Sequence, residues 1–211
     1  QREVIGPYQS EFSNISADGF FMLAEAVEGW HSYPSFVDGS SDEKPAVSMV
    51  YEDAINIMYT SGTTGVPKGI LHTHHNRTQF ASMFAIDYRI DSSAVNIVTT
   101  ALYANGTWLT MLPTVFAGGT LVVMPAFDPK AFLEVVQKEK CTHTFMVPTQ
   151  ISVLLEQPDF DRYDLSSMRI WNSAGSPLRA QTKAEVIKRF SGELVELWGL
   201  TEGVATTLKP E

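Results

Sequence analysis

The feature that most constrains the fold is an alternation that runs from residue 94 to residue 198. Short runs rich in β-branched and aromatic side chains stand at Ala94–Thr100, Gly119–Met124, Thr142–Val147, Arg169–Ser173 and Glu193–Trp198. Between them lie segments of helical period at Thr107–Phe116, Pro129–Lys140, Thr149–Glu156 and Arg179–Phe190. A strand that is apolar at successive positions is buried on both faces, and a helix between two strands lets them run parallel. The pattern predicts an α/β fold, a mostly parallel sheet with flanking helices. An earlier pair, Ala54–Thr60 as strand and Thr73–Tyr88 as helix, extends the series. Asp128 is placed to cap the helix that begins at Pro129, and Pro113 to kink the one that contains it. Ala17–Trp30 is also expected to be helical, with Asp18 as its cap, and residues 31–46, rich in Ser, Pro, Gly and Asp, read as a loop.

Ligands of open parallel sheets bind beyond the C-terminal ends of the strands. The segments in that position are 60–69, 103–106, 173–178 and 198–202. The first, within YTSGTTGVPKG (59–69), combines glycines that let backbone N–H groups approach an anion, hydroxyls that donate hydrogen bonds, and a lysine. It is not a Walker A loop, because its glycines are spaced differently and Pro67 precedes Lys68. A phosphate-holding loop and an ordinary turn both remain open on composition. The net charge of −9 disfavours non-specific binding to nucleic acid or to an anionic membrane, but not a local positive pocket. The single cysteine, Cys141, suits a reducing, cytoplasmic setting and reads as a small buried hydrophobe. The uncharged stretch between Asp91 and Asp128 is broken by Asn, Gly and Pro, which fits buried α/β structure better than a membrane span. The first residues lack the pattern of a signal peptide.

Three strand-end motifs, taken together, resemble the adenylate-forming superfamily of acyl- and aryl-CoA synthetases, luciferases and peptide-synthetase adenylation domains. YTSGTTGVPKG is similar to the family's [ST]-S-G-[ST]-T-G-x-P-K-G, WGLTE (198–202) to its Y/W-G-x-T-E, and NSAGSPL (172–178) to its S-G-[GA]-A-P-L stretch. The resemblance spans roughly residues 50 to 207. It implies a partial AMP-binding domain over 46–211, part of the large N-terminal domain of such an enzyme, after a segment 1–45 without a recognisable motif. It implies ATP, Mg²⁺ and CoA as co-substrates and metal, and a small-molecule carboxylic acid, fatty or aryl, activated to an acyl adenylate and then to a thioester. By resemblance Thr60 opens the phosphate loop. Ser61, Thr63, Thr64 and Lys68, with the backbone of Gly62 and Gly65, would cradle the β- and γ-phosphates. Ala174, Gly175 and Ser176 would line adenine and ribose. Trp198 would lie against adenine, flanked by Glu196, Leu197 and Gly199. Thr201 would donate to the α-phosphate and Glu202 would help hold Mg²⁺. Lys68, Thr201 and Glu202 are the expected catalytic set.

The family's P-L-F-H-x-x-G motif corresponds in spacing to TALYANG (100–106), with Tyr103 as the gate of the carboxylate and Gly106 beside it; a one-residue gap would put Ala104 at the gate instead. Peptide-synthetase domains carry an Asp there, and none stands between Asp91 and Asp128, which disfavours an amino-acid substrate. Trp108, Leu109, Met111 and Leu112 read as helix packing more than as an acyl pocket. The HTHH run (72–75) lacks a Cys, Asp or Glu at ligand spacing and is a weak zinc candidate. The chain ends before the family's T-G-D motif, hinge and C-terminal domain, so the resemblance implies a fragment of a longer synthetase that is not expected to be competent alone. An adenylation domain that loads a carrier protein or amino acid, and a non-catalytic nucleotide-binding module, remain as alternatives.

Overall fold

The computed structural model describes residues 2–61, 65–203 and 205–209. The chain divides into two compact units, residues 1–48 and 49–211. The first holds α1 (Arg2–Ile5), the two-residue strands β1 (Phe21–Met22) and β2 (His31–Ser32), and α2 (Tyr33–Val37). The helix expected over Ala17–Trp30 does not form. Ala17–Gly19 is a single 3₁₀ turn, and Val27 and Trp30 form an antiparallel bridge. A helix would set Phe20 and Trp30 about 15 Å apart along its axis. Parallel pairing of Phe21 with His31 instead brings the Phe20 and Trp30 rings edge-on at 5.3 Å, both buried. Burial of two aromatic rings outweighs the local helical period, and Gly29, at φ 76°, further opposes a helix.

The second unit begins with β3 (Ala54–Thr60) and β4 (Lys68–Thr73), followed by α3 (His74–Asp87), β5 (Val95–Val98), α4 (Asn105–Phe116) and β6 (Thr120–Val123). It continues with α5 (Pro129–Glu139), β7 (His143–Met146), α6 (Pro148–Leu155), β8 (Ile170–Ser173), α7 (Ala180–Arg189), β9 (Glu193–Gly199) and β10 (Ala205–Leu208). Six strands form one sheet in the order β10-β9-β8-β7-β5-β6, parallel throughout except for β10, which runs antiparallel to β9. This is the mostly parallel α/β sheet that the alternation predicts.

Successive strand residues face opposite sides, so each strand contributes to two cores. Ile97, Met146 and Trp171 pack against Phe132, Leu133 and Val136 of α5, Ile151 and Leu154 of α6, and Val186 of α7. Phe145, Ile170 and Val195 pack on the other face against Phe84 of α3, Tyr88 and Leu109 of α4. Asp128 caps α5 as expected, its carboxylate accepting the Ala131 N–H at 2.7 Å. Thr73 caps α3 in a reciprocal box with Asn76.

In the first unit β2 and α2 occupy the start of the 31–46 segment read as a loop, and in the second unit two strands escape the sequence reading. β4 starts at Lys68, inside the motif read as a loop, and β3 and β4 form an antiparallel hairpin of their own outside the six-stranded sheet. β10 follows WGLTE and closes the edge of the large sheet. No helix among the described residues is long and apolar enough to cross a membrane.

Cys141 is fully buried and its thiol is pushed up to about 12, chiefly by burial. It is expected to stay unreactive toward a thiol reagent until the protein unfolds. His143 is equally buried. Its Nε2–H donates to the Tyr88 carbonyl at 3.0 Å and its Nδ1 accepts from the Thr142 hydroxyl at 2.6 Å. Burial pushes its pKa down from 6.5 to about 4. The unfolded chain therefore takes up this proton first, and stability present above pH 6.5 is lost as the pH falls toward 4. The expected loss is on the order of 3 kcal/mol. Thermal unfolding of the protein and of His143→Gln across that window checks it, with the shallower acid dependence expected in the variant.

Candidate functional site

The ends of β8 and β9 are neighbours because Ser173 pairs with Glu196 across them. This register sets the 174–178 turn beside the WGLTE turn. Glu196 ties the two together: its carboxylate accepts the Leu178 N–H at 3.1 Å and forms an ion pair with Lys183 of α7. The Glu196 side chain is only 17% exposed and fully engaged, so it serves the turn, and only its backbone faces the strand edge. Ala174 is buried, whereas Gly175 (φ 95°) and Ser176 are exposed at the turn. Leu197 is half-buried against the α3 core. Trp198 and Gly199 pair with Thr206 and Ala205 of β10, and the Trp198 indole is 62% exposed. Thr201 and Glu202 occupy the turn that follows, closed by the Gly203 N–H donating to the Leu200 carbonyl at 3.1 Å. The Glu202 carboxylate is exposed.

The hairpin carries the glycine-rich motif. Thr60 ends β3 opposite Lys68, the first residue of β4; Ser61 and Lys68 are exposed, and Gly65 has φ 80°. Gly62, Thr63 and Thr64 lie outside the described residues. Gly69 stands opposite Tyr59, and a Cβ there would come within 3.0 Å of Ile57 and 3.4 Å of the Tyr59 ring. The hairpin is joined to WGLTE by His72, which is 7% exposed and whose Nε2 lies 2.8 Å from the Thr201 carbonyl oxygen. Arg77, which can only donate, points Nη2 at His72 Nδ1 at 3.2 Å. Nδ1 is thus an acceptor, and the ring proton sits on Nε2, directed at Thr201. With both ring nitrogens engaged, His72 is not open to a metal, and no group of three or more metal-ligating side chains occurs among the described residues.

Arg77 went unnoticed in the sequence. It is 3% exposed, and burial lowers its pKa to about 10. Its partners are all neutral: Asn56 Oδ1 and Asn105 Oδ1, each at 3.1 Å, Met58 Sδ at 3.2 Å, His72, and the Trp108 ring at 4.5 Å from the guanidinium carbon. A polar Asn56 within an apolar strand and an Asn at the start of α4 were the available signals.

The TALYANG segment turns from β5 into α4. The Thr107 hydroxyl donates to the Ala101 carbonyl and the Trp108 indole N–H to the Leu102 carbonyl, both at 2.7 Å, leaving Tyr103 86% exposed. Leu109 is buried in the core beneath, so that position is helix packing. Gly106 has a packing reason of its own: a Cβ there would lie 2.6 Å from the Phe145 ring. Gly106→Ala is expected to cost roughly 1–3 kcal/mol by overpacking, visible as a lowered Tm. Two surface clefts are present, the first of them reaching Glu196 just before WGLTE. One of about 270 Å³ is lined by Lys183, Ile187 and Leu208, the other, about 320 Å³, by Met83, Ile86 and Thr207. Neither holds the clustered motifs, whose site is an open, exposed edge.

Residues 12–211 match the AMP-binding enzyme family, a match that begins well before residue 59, where the first legible motif starts. Feruloyl-CoA synthase from an Amycolatopsis species is 33% identical over 173 residues, which cover 82% of this chain and 35% of that protein. Indoleacetate–CoA ligase from Aromatoleum aromaticum is 31% identical over 205 residues, 94% of this chain and 40% of that protein. The inhibitor-bound N-terminal domain of FACL13 from Mycobacterium tuberculosis superposes with a TM-score of 0.77 at 27% identity, covering 85% of this chain and 46% of that one. The chain spans less than half the length of these relatives. Its parallel sheet, its strand-end motifs and a family match over 200 of its 211 residues (12 through 211) lead to one assignment: the chain belongs to the AMP-binding enzyme family.

Proposed function

We propose that the protein carrying this chain activates a carboxylic acid with ATP and passes the acyl group to the thiol of CoA. A carboxylate oxygen would attack the α-phosphorus as the bond to pyrophosphate breaks; the thiol would then displace AMP from the acyl adenylate. The observation that carries this reading is the direct bond from the hairpin to WGLTE, His72 Nε2 to the Thr201 carbonyl at 2.8 Å. It ties the strand that begins at Lys68 to the Thr201–Glu202 turn. Carboxylate and triphosphate repel each other, and catalysis of their reaction rests on positioning and positive potential. In this reading Ser61, Thr63, Thr64 and Lys68, with the backbone of Gly62 and Gly65 after Thr60, hold the β- and γ-phosphates. Ala174, Gly175 and Ser176 leave room for adenosine, the exposed Trp198 offers a stacking face flanked by the backbone of Glu196, Leu197 and Gly199, and Thr201 meets the α-phosphate.

A single exposed carboxylate fits magnesium, a hard cation that keeps water and substrate phosphate oxygens around one or two protein oxygens. Glu202 would supply that oxygen, and the ion would neutralise charge on the triphosphate. Tyr103 and Gly106 would border the acid. The names of the relatives above, a feruloyl-CoA synthase and an indoleacetate–CoA ligase, favour a non-amino acid bound for CoA, and so does the absence of an Asp between Asp91 and Asp128.

The test is ATP–pyrophosphate exchange by the full-length protein across a panel of aliphatic and aryl acids. Exchange driven by one acid class is expected, and Lys68→Ala combined with Glu202→Ala should lower it at least about a hundredfold. Exchange with amino acids instead would move the protein to the carrier-loading class. Mg-ATP binding with no exchange for any acid would leave a nucleotide-binding module.

A further inference from the structure

We propose that Arg77 and His72 are positioning residues that hold the Thr201 turn and the start of α4 in a common register, so that the nucleotide and acid segments are aligned through one buried cluster. The inference rests on the adenylation reading but uses side chains outside the family motifs.

The cluster is built from four elements of the second unit. Asn56 and Met58 come from β3, His72 from β4, Arg77 from α3 and Asn105 from the first position of α4. The guanidinium reaches all of them: Nε to Asn56, Nη1 to Asn105, Nη2 to Met58 and to His72. The guanidinium carbon lies 4.5 Å from the Trp108 ring and 5.3 Å from the Phe80 ring. A buried cation held only by neutral dipoles and rings is costly unless its donors are satisfied. That cost makes the arrangement selective: Arg77 is tolerated only while Asn56, Asn105 and His72 stand where they do. A planar fork can bridge three elements at once, which a lysine cannot.

The chain of contacts runs from Asn105, two residues after Tyr103, through Arg77 to His72 and on to the Thr201 carbonyl. Arg77 fills the acceptor at His72 Nδ1, and so fixes the Nε2–H that Thr201 receives. Asn105 is fixed by the same guanidinium. Neither Arg77 nor His72 is exposed enough to touch substrate, being 3% and 7% exposed. Their effect passes through Thr201 and Asn105.

The experiment uses the full-length protein and reads KM for ATP and for the acid in pyrophosphate exchange, with Mg-ATP affinity measured separately by equilibrium titration. His72→Leu removes the bond to Thr201 and is expected to raise the ATP KM and Kd about tenfold, the effect of one lost hydrogen bond, with the acid KM nearly unchanged. His72→Gln keeps an N–H donor and is expected to recover most of that loss. Asn105→Ala is expected to raise the acid KM and spare ATP, and Arg77→Lys to raise both. A purely structural cluster would lower Tm and kcat by the inactive fraction, move neither KM, and show no rescue by Gln; that result overturns the proposal. If wild-type protein shows no exchange with any acid, the ligase reading falls alone. The ATP Kd of His72→Leu against His72→Gln then decides the positioning role. A protein that binds no Mg-ATP sinks both.

Discussion

The lateral register of four parallel strands governs the rest of the structure. Asn96 pairs with His143, Phe145 with Asn172, and Asn172 with Val195, so β5, β7, β8 and β9 end along one edge of the sheet. A one-residue slip in any pair would exchange the two faces of a strand. Trp171 would leave the α5–α7 core and Phe145 would leave the α3–α4 core. Because both faces are buried, the packing enforces the register, and the register lines up the turns after β5, β8 and β9. The alignment of the candidate segments is therefore a by-product of the core.

The hairpin answers to a different constraint. Its strands lie outside the large sheet, and their outer face exposes Ile55, Ile57, Tyr59 and Leu71. Its inner face carries Met58 and His72 into the Arg77 cluster. The flat outer face contributes little to fixing the hairpin; the inner contact is polar and directional. Hydrogen bonds of fixed geometry specify a position more sharply than apolar contact, and a buried, half-satisfied network would be worse than none. The same logic applies to Glu196, which stands two residues before WGLTE and has its carboxylate committed to the Leu178 N–H and Lys183.

Much of the fold was legible because apolar burial leaves a periodic trace. Every strand and α-helix from Val95 to Gly199 lies within two residues of the segment read for it, and Asp128 caps α5 because its spacing to Ala131 is local. The failures share one cause. The segment Ala17–Trp30 carries a helical period, yet pairing of Phe21 with His31, ten residues apart, overrides it. β4 was hidden because its residues, KGILHT, follow a turn-rich motif and pair backward onto β3. Arg77 was silent because a lone arginine on a helix is ordinarily solvated, and nothing local says that Asn56, 21 residues before it, and Asn105, 28 after, will meet it.

The sequence by itself determined the class of the fold and the segments that carry chemistry, since periodicity and turn composition are properties of neighbouring residues. Only the tertiary structure decided which of those segments meet. Pairing of Ser173 with Glu196 joins the 174–178 and WGLTE turns, and burial of His72 and Arg77 joins the hairpin to Thr201 and to the start of α4. Those contacts span up to 129 residues, a separation over which no local signal survives and only packing of the whole sheet sets the distance.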